Sequence, residues 1–140
     1  MKILLAADGS PYTKKALAFL VNHDGLSRPT DELVVLNVQS PLPPRVSGLV
    51  GASTVAEYQR EEADKVLAPI KEFLARHPIP FRCLTVVGPV SDEILAVAKA
   101  EKAHMIVLGT HGYGLVGRFF MGSVAQRVVT ESETPVLLVK

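Results

Sequence analysis

Five short apolar runs, spread along the whole chain, constrain the fold more than any other feature of this sequence. Each run is continuous rather than alternating with polar residues, which is typical of strands buried on both faces of a parallel sheet. Four segments with helical periodicity separate them, so the predicted order is β-α-β-α-β-α-β-α-β. The five runs lie at residues 2–7, 32–38, 81–87, 105–109 and 136–140.

Alternation of this kind predicts an α/β domain: a doubly wound, five-stranded parallel sheet with right-handed crossovers and helices on both faces. The chain has 140 residues, which fits a single domain over residues 1–140. In the first helix Ser10 is the predicted N-cap, Pro11 occupies the first helical position, and Gly25 ends the helix. The third helix is expected from about Ser91 and the fourth from near Gly122.

The second gap is longer and less regular. Thr54 and Glu57 have the spacing of a capping box and predict the start of the second helix, in which Pro69 should produce a kink. Residues 39–53 precede it and are rich in Pro, Gly and Ser. Connections longer than about 12 residues are often functional or mobile. Both a surface loop and a lid over a ligand are consistent with this segment.

Composition excludes several classes of function. The formal net charge is +1, so no nucleic-acid partner is indicated, and the single cysteine, Cys83, excludes a disulfide framework or a multi-cysteine metal site. No apolar run approaches the ~20 residues that cross a bilayer. Asp8 interrupts the opening apolar run before it reaches the length of a signal peptide. We therefore expect a cytoplasmic protein without a membrane partner.

A glycine-rich segment, residues 109–123, carries the strongest chemical signal. It leaves the fourth strand and enters the last helix, where unpaired backbone N–H groups and the helix dipole favour an anion. Glycines permit positive φ angles and allow phosphate oxygens to approach the backbone, and Ser123 adds a hydroxyl donor. An ordinary flexible loop remains the alternative from composition alone.

Two common nucleotide motifs do not explain this segment. It contains no G-x-x-x-x-G-K-[ST] sequence, so it is not a P-loop. Gly112, Gly114 and Gly117 do match G-x-G-x-x-G, but the dinucleotide fingerprint belongs at a first strand-to-helix turn. Here the pattern follows the fourth strand and stops short of the helix. We therefore reject a dinucleotide site.

A different spacing, Gly109-x2-Gly112-x9-Gly122-Ser123, resembles the phosphate-binding signature of the universal stress protein family. Residues 4–10, Gly88-Pro89 and residues 134–139 are similar to other parts of that family, so the resemblance covers essentially the whole chain. It implies a Rossmann-like sheet of order 3-2-1-4-5. Ligands of such sheets bind at the carboxyl ends where the strand order reverses, here between strands 1 and 4.

The resemblance also implies which residues hold an adenine nucleotide. Asp8 is expected at the ribose or adenine, the backbone of Val38 at the adenine edge, and Leu108 beside the nucleotide. His104 replaces a common aspartate far from the phosphates. ATP is the expected ligand, with ADP or AMP as alternatives and Mg²⁺ as the accompanying ion. The full set of expected nucleotide-binding residues is Ala7, Asp8, Val38, Leu108, Gly109, Gly112, Gly122, Ser123 and Val124.

Three functions remain open at this point. The first is an ATP-binding regulatory protein of the stress response, with no catalytic residue. The second is a slow ATPase or nucleotide-transfer enzyme that uses His111 or Asp8, and the third is an interaction module with an empty cleft. The resemblance further implies a homodimer joined through the apolar edge strand Val136, Leu137, Leu138 and Val139.

Overall fold

All five apolar runs form strands, with ends that differ from the predicted ones by no more than a residue. A computed structural model describes residues 1–112 and 121–140 of the chain. The strands are β1 (Lys2–Ala6), β2 (Glu32–Gln39), β3 (Phe81–Val87), β4 (Met105–Gly109) and β5 (Val136–Val139).

The strands form one parallel sheet of order β3-β2-β1-β4-β5, which confirms the predicted topology. The central pairing joins β1 to β4, two strands that are distant in the chain. In its register Ile3 lies beside Met105, Leu4 beside Ile106 and Leu5 beside Val107. The strand order reverses at this pairing, so the expected switch point lies at the carboxyl ends of β1 and β4.

Helices cover both faces of the sheet, as predicted. The described residues form the helices α1 (Pro11–Asn22), α2 (Pro44–Val50), α3 (Ala52–Leu74), α4 (Val90–Ala100) and α5 (Ser123–Glu131). One core layer lies under α1 and α3, where Leu20 and Leu74 pack on Ile3 and Leu33. The other lies under α4 and α5, and its buried residues are Leu4, Val34, Leu36, Ile94, Ala98, Ile106, Leu108, Ala125 and Val128.

Two predicted helix boundaries are wrong. Helix α1 ends at Asn22 with His23 as C-cap rather than continuing to Gly25, and Ser10 holds the N-cap position without a capping side-chain bond. The predicted capping box lies inside α3, which begins at Ala52. The start of α3 is set by Gly51, whose φ of 87° turns the chain sharply and strains any residue with a side chain.

The segment at residues 39–53 is more ordered than a simple loop. It contains α2, a helix that contacts α3 and buries none of its residues. Leu49 of α2 is 85% exposed. Pro69 lies at an exposed position within α3, and the helix continues past it to Leu74 although proline removes one backbone donor. No helix in the described residues is long and apolar enough to cross a membrane.

An ion-pair cluster lies at the amino edge of the sheet, opposite the glycine-rich segment. Arg82 on β3 donates to Glu32 on β2, with an Nε to Oε1 distance of 2.7 Å, and its guanidinium also pairs with Glu101. Lys2 lies 3.6 Å from Glu32 and 3.5 Å from Glu101. The hydrogen bonds from Arg82 are the main reason that the pKa values of Glu32 and Glu101 lie below their ordinary range.

We expect Arg82→Gln to lower the free energy of unfolding at pH 7 by at most about 1 kcal/mol, because the pairs are partly exposed and screened. A lowered folded-state pKa stabilises the protein above the unfolded pKa of glutamate, about 4.3, and that contribution is lost as pH falls below it. The difference between wild type and variant should therefore shrink between pH 7 and pH 4. Urea unfolding at both pH values, with Arg60→Gln on the surface of α3 as control, measures it. A difference that grows on acidification contradicts this assignment.

Candidate functional site

A cleft of about 290 Å³ opens at the carboxyl edge of the sheet, between the ends of β1 and β4. Its wall contains all nine residues expected at a nucleotide, although they come from β2, β4, α5 and the connections that follow β1 and β4. These are Ala7, Asp8, Val38, Leu108, Gly109, Gly112, Gly122, Ser123 and Val124. The fold therefore brings the predicted set together; which ligand they hold is a separate question.

One end of the cleft is apolar. Ala6, Leu36 and Leu108 lie in the carboxyl-terminal halves of the adjacent strands β1, β2 and β4. Their side chains point toward the face that α4 and α5 cover. Val90 and Ile94 of α4 close this end from the side. Such a slot excludes water from a flat apolar ring and offers few side-chain donors or acceptors of its own.

The backbone of Val38 faces the cleft beyond the end of β1. The carbonyl of Leu36 accepts a 2.8 Å hydrogen bond from the N–H of Ala7, whereas the carbonyl of Gln39 accepts one from Gly88 on the other side. Peptide groups of a strand alternate between its two neighbours. Val38 therefore directs its peptide toward the β1 side, where β1 has already left the ladder.

Asn37 ties the ends of β1 and β2 together, and the sequence analysis missed it. This side chain is 2% exposed, and its Nδ2 donates to the carbonyl of Ala7 at 2.9 Å. Its Oδ1 accepts a hydrogen bond from Gln39 at 2.7 Å. The only signal in the sequence is a single amide inside an otherwise apolar run, which is weak evidence before the partner strand is known.

Asp8 follows β1 and its carboxylate is held in place by α1. The Oδ1 atom accepts hydrogen bonds from the Ser10 N–H and the Thr13 hydroxyl, both at 2.9 Å. The Thr13 Oγ1 atom also accepts the N–H of Asp8 at 3.1 Å. The second carboxylate oxygen, Oδ2, lies next to Gly112, only 2.6 Å from the position that a Cβ there would take.

Three glycines of the signature lie where a side chain would be crowded, most severely at Gly109. A Cβ on Gly109 would lie 2.4 Å from the Cβ of Tyr12, and one on Gly122 would lie 3.1 Å from the carbonyl oxygen of Thr110. Among the described glycines, only Gly9 and Gly51 have positive φ. The expectation that the signature glycines supply positive φ is therefore wrong for positions 109, 112 and 122, where close packing is the reason.

The first turn of α5 forms the polar end of the cleft. Gly122 is its N-cap, its own N–H donates to Thr110 at 2.8 Å, and no side chain caps the helix. The first helical bond runs from Gln126 to Gly122, so the N–H groups of residues 123–125 have no acceptor within the helix. Ser123 is exposed at the first helical position. This end of the cleft suits an anion.

His111 also lies on the cleft wall, 5.2 Å from the Tyr12 ring between centroids, with its Nδ1 2.9 Å from the Thr110 hydroxyl. His104 is at the opposite edge of the sheet, where its Nδ1 accepts the N–H of Lys2 at 2.9 Å. The middle of the glycine-rich segment, residues 113–120, with Gly114, Gly117 and Arg118, lies outside the described residues.

Comparison with known proteins agrees with this geometry. A family model described as the universal stress protein family matches residues 1–140. The chain belongs to the universal stress protein family. A universal stress protein of Thermus aquaticus is 37% identical over 139 residues, a match that covers 99% of this chain and 97% of the relative.

Solved structures of the universal stress protein family share the fold. The solved structure of protein MJ0577 superposes with a TM-score of 0.81 at 28% identity, covering 99% of this chain and 94% of that one. Universal stress protein MJ0577 is a protein of Methanocaldococcus jannaschii. The universal stress protein UspA of Lactobacillus plantarum gives a TM-score of 0.83 at 20% identity, covering 100% and 97%. The second likeness concerns the fold alone.

We expect Gly109→Ala to destabilise this universal stress protein by about 1–3 kcal/mol, the usual cost of overpacking, because Tyr12 at the start of α1 must move. The matched control is Gly25→Ala, where a Cβ meets nothing within 4 Å. That variant should change stability by less than about 1 kcal/mol. Chemical unfolding of both variants measures the difference. Equal stabilities would show that close packing does not explain the glycine at position 109.

Proposed function

We propose that this protein binds an adenine nucleotide, ATP in the first place, and acts as a regulatory nucleotide-binding protein of the stress response in the cytoplasm. The observation that supports it is the order of surfaces along one cleft: an apolar slot, then the carboxylate of Asp8, then the open N-terminus of α5. A nucleotide presents its base, ribose and phosphates in the same order.

The apolar slot matches the adenine ring. Leu36 and Leu108 would lie against its faces, and the peptide of Val38 would offer a backbone donor and acceptor to its edge. Recognition of the base by backbone depends on the position of β2 rather than on one side chain. A substitution of the Val38 side chain should therefore change the preference for adenine little. This arrangement gives Leu108 a role as a wall of the slot, whereas Ala7 lines the cleft from the core layer under α1 and α3.

The polar end matches the phosphates. The N–H groups at the start of α5 and the Ser123 hydroxyl are donors, and Gly112 and Gly122 place backbone without side chains on the cleft wall. Asp8 would repel a phosphate placed beside it, but as a pure hydrogen-bond acceptor it suits the hydroxyls of the ribose. Charge therefore sets the direction in which the nucleotide lies.

Two further structures with this fold support the ligand class. One is a family protein of Arabidopsis thaliana described with AMP bound, at 17% identity and a TM-score of 0.71. The other is an Archaeoglobus fulgidus protein described in complex with dAMP, at 24% identity and a TM-score of 0.67. At these identities they indicate only that the fold accommodates an adenine nucleotide. ADP and AMP thus remain alternative ligands for this chain.

We expect Mg²⁺ to enter with the nucleotide rather than on a site of its own. The described residues contain no group of three His, Cys, Asp or Glu side chains that could hold a metal ion. Asp8 is the only carboxylate among the described residues lining the cleft, and one of its oxygens already accepts two hydrogen bonds. The phosphates and water would therefore supply most of the ligands.

The test is calorimetric titration of the nucleotide-stripped protein with ATP and Mg²⁺. We expect one site per chain with micromolar affinity and negligible turnover. Gly122→Val should weaken binding at least about tenfold, because its side chain would collide with the Thr110 carbonyl and displace the start of α5, whose N–H groups would hold the phosphates. Ser123→Ala should weaken it less, through the loss of one hydroxyl donor.

Gly48→Val is the matched control for this titration, since a Cβ at position 48 meets nothing within 4 Å and lies outside the cleft. It should bind ATP as the wild type does. Absence of binding by folded wild-type protein contradicts the proposal and favours an interaction module with an empty cleft. Steady phosphate release that disappears in His111→Ala would instead assign a slow ATPase.

We also propose that two copies join through β5. This strand is the sheet edge, and its side chains are half-buried against the two core layers. Ile106 and Thr110 donate to the carbonyls of Pro135 and Val139, so the odd residues of β5 face β4. By alternation, Val136 and Leu138 turn their peptides outward. An edge of unpaired peptides invites pairing with a second chain.

We expect the wild type to be a dimer at micromolar concentration and Val136→Pro to be a folded monomer. Proline is tolerated on an edge strand where the missing N–H faced outward, and it blocks pairing there. Leu137→Pro is the control: its N–H faces β4, so this change should destabilise the monomer itself. Light scattering combined with circular dichroism distinguishes the three proteins. A monomeric wild type would refute the dimer.

A further inference from the structure

Asp8 is held by three hydrogen bonds, two of which reach its carboxylate. The Thr13 hydroxyl donates to the Asp8 Oδ1 atom at 2.9 Å, and its Oγ1 atom accepts the backbone N–H of Asp8 at 3.1 Å. The Ser10 N–H makes the third at 2.9 Å. Thr13 is 3% exposed in the first turn of α1, so its own rotamer is fixed by packing. The carboxylate consequently cannot rotate without breaking several bonds.

The two carboxylate oxygens of Asp8 therefore have different roles. An ionised carboxylate has about four acceptor positions, two on each oxygen. Ser10 and Thr13 occupy those of Oδ1. No hydrogen bond between described residues uses Oδ2, which lies beside Gly112 at the cleft. The protein thus presents one oriented oxygen with two acceptor positions, and a ligand must bring the donors.

We propose that Thr13 is a positioning residue which, through Asp8, makes the cleft selective for the ribose 2′,3′-diol over 2′-deoxyribose. The inference rests on the proposed adenine-nucleotide site. Two neighbouring hydroxyls match the two acceptor positions of Oδ2, whereas a 2′-deoxyribose can donate to only one of them. A hydrogen bond to a charged group that is lost in this way weakens binding by about tenfold or more.

Thr13 would act on this selectivity without contacting the ribose. In Thr13→Val the side chain keeps nearly the same shape, but Oδ1 loses its hydroxyl donor and the Asp8 N–H loses its acceptor. The carboxylate is then free to rotate, and Oδ2 is no longer held in one orientation. Ribose and deoxyribose should become nearly equivalent, because the 2′-hydroxyl loses its oriented acceptor. Thr13→Ser restores the hydroxyl and should restore the selectivity.

The experiment is calorimetric titration of wild type, Thr13→Val and Thr13→Ser with ATP and with 2′-deoxy-ATP, each with Mg²⁺. The wild type should bind ATP about tenfold or more tightly than 2′-deoxy-ATP. The ratio of the two dissociation constants should fall toward one in Thr13→Val and return in Thr13→Ser. Thr54→Val, an exposed threonine on α3, is the control and should keep the wild-type ratio.

The ratio distinguishes positioning from a general structural role, which would weaken both nucleotides equally and leave the ratio unchanged. Equal affinity of the wild type for the two nucleotides, or an unchanged ratio in folded Thr13→Val, overturns this inference and leaves the nucleotide site standing. Failure of folded wild type to bind either nucleotide overturns both. A preference of about tenfold for ribose weakens the binding of a 2′-deoxynucleotide without abolishing it. It is therefore compatible with the Archaeoglobus fulgidus protein that is described in complex with dAMP.

Discussion

The pairing of β1 with β4 is the constraint on which the rest of the molecule depends. It joins residues about a hundred positions apart, with Leu5 beside Val107, and it places the reversal of strand order at the centre of the sheet. Right-handed crossovers then send α1 to one face and α5 to the other. Among the described residues, a cleft lies at the carboxyl ends of the two strands, where a sheet with this reversal is expected to have one. Function is added to this opening by the few side chains at its rim.

Close packing at the same edge explains much of the glycine signature before any ligand is considered. Helix α1 begins directly against the end of β4, where Tyr12 leaves no space for a side chain at position 109. Gly112 meets Asp8 in the same way, and Gly122 meets the backbone of Thr110. The glycine spacing therefore reflects close packing where the connection from β1 to α1 meets the one that follows β4. That approach also brings bare backbone to the cleft, so one set of glycines satisfies the fold and the proposed phosphates together.

The strands were predictable because continuous apolar runs identify buried parallel strands, and the sheet order followed from the family resemblance rather than from periodicity. Local signals misplaced the start of α3, because the chain reversal at Gly51 outweighs the capping residues Thr54 and Glu57. The glycine spacing identified the cleft, but Thr13 and Asn37 were missed. Their roles arise from contacts with Asp8 and with the carbonyl of Ala7, and a single polar residue carries no periodic signal that identifies its partner.

Two anions would share this cleft, and each has a helix of its own. The carboxylate of Asp8 lies before α1 and accepts the N–H of Ser10, while the proposed phosphates would lie at the start of α5. Each helix start contributes partial positive charge to its own anion, so repulsion between carboxylate and phosphate is reduced on both sides. The carboxylate of Asp8 is also oriented before a ligand arrives, because Thr13 and the backbone N–H of Ser10 hold it. The entropy lost in ordering the Asp8 side chain is then part of folding and does not reduce the free energy of nucleotide binding. Such preorganisation helps a small cleft to hold a flexible nucleotide.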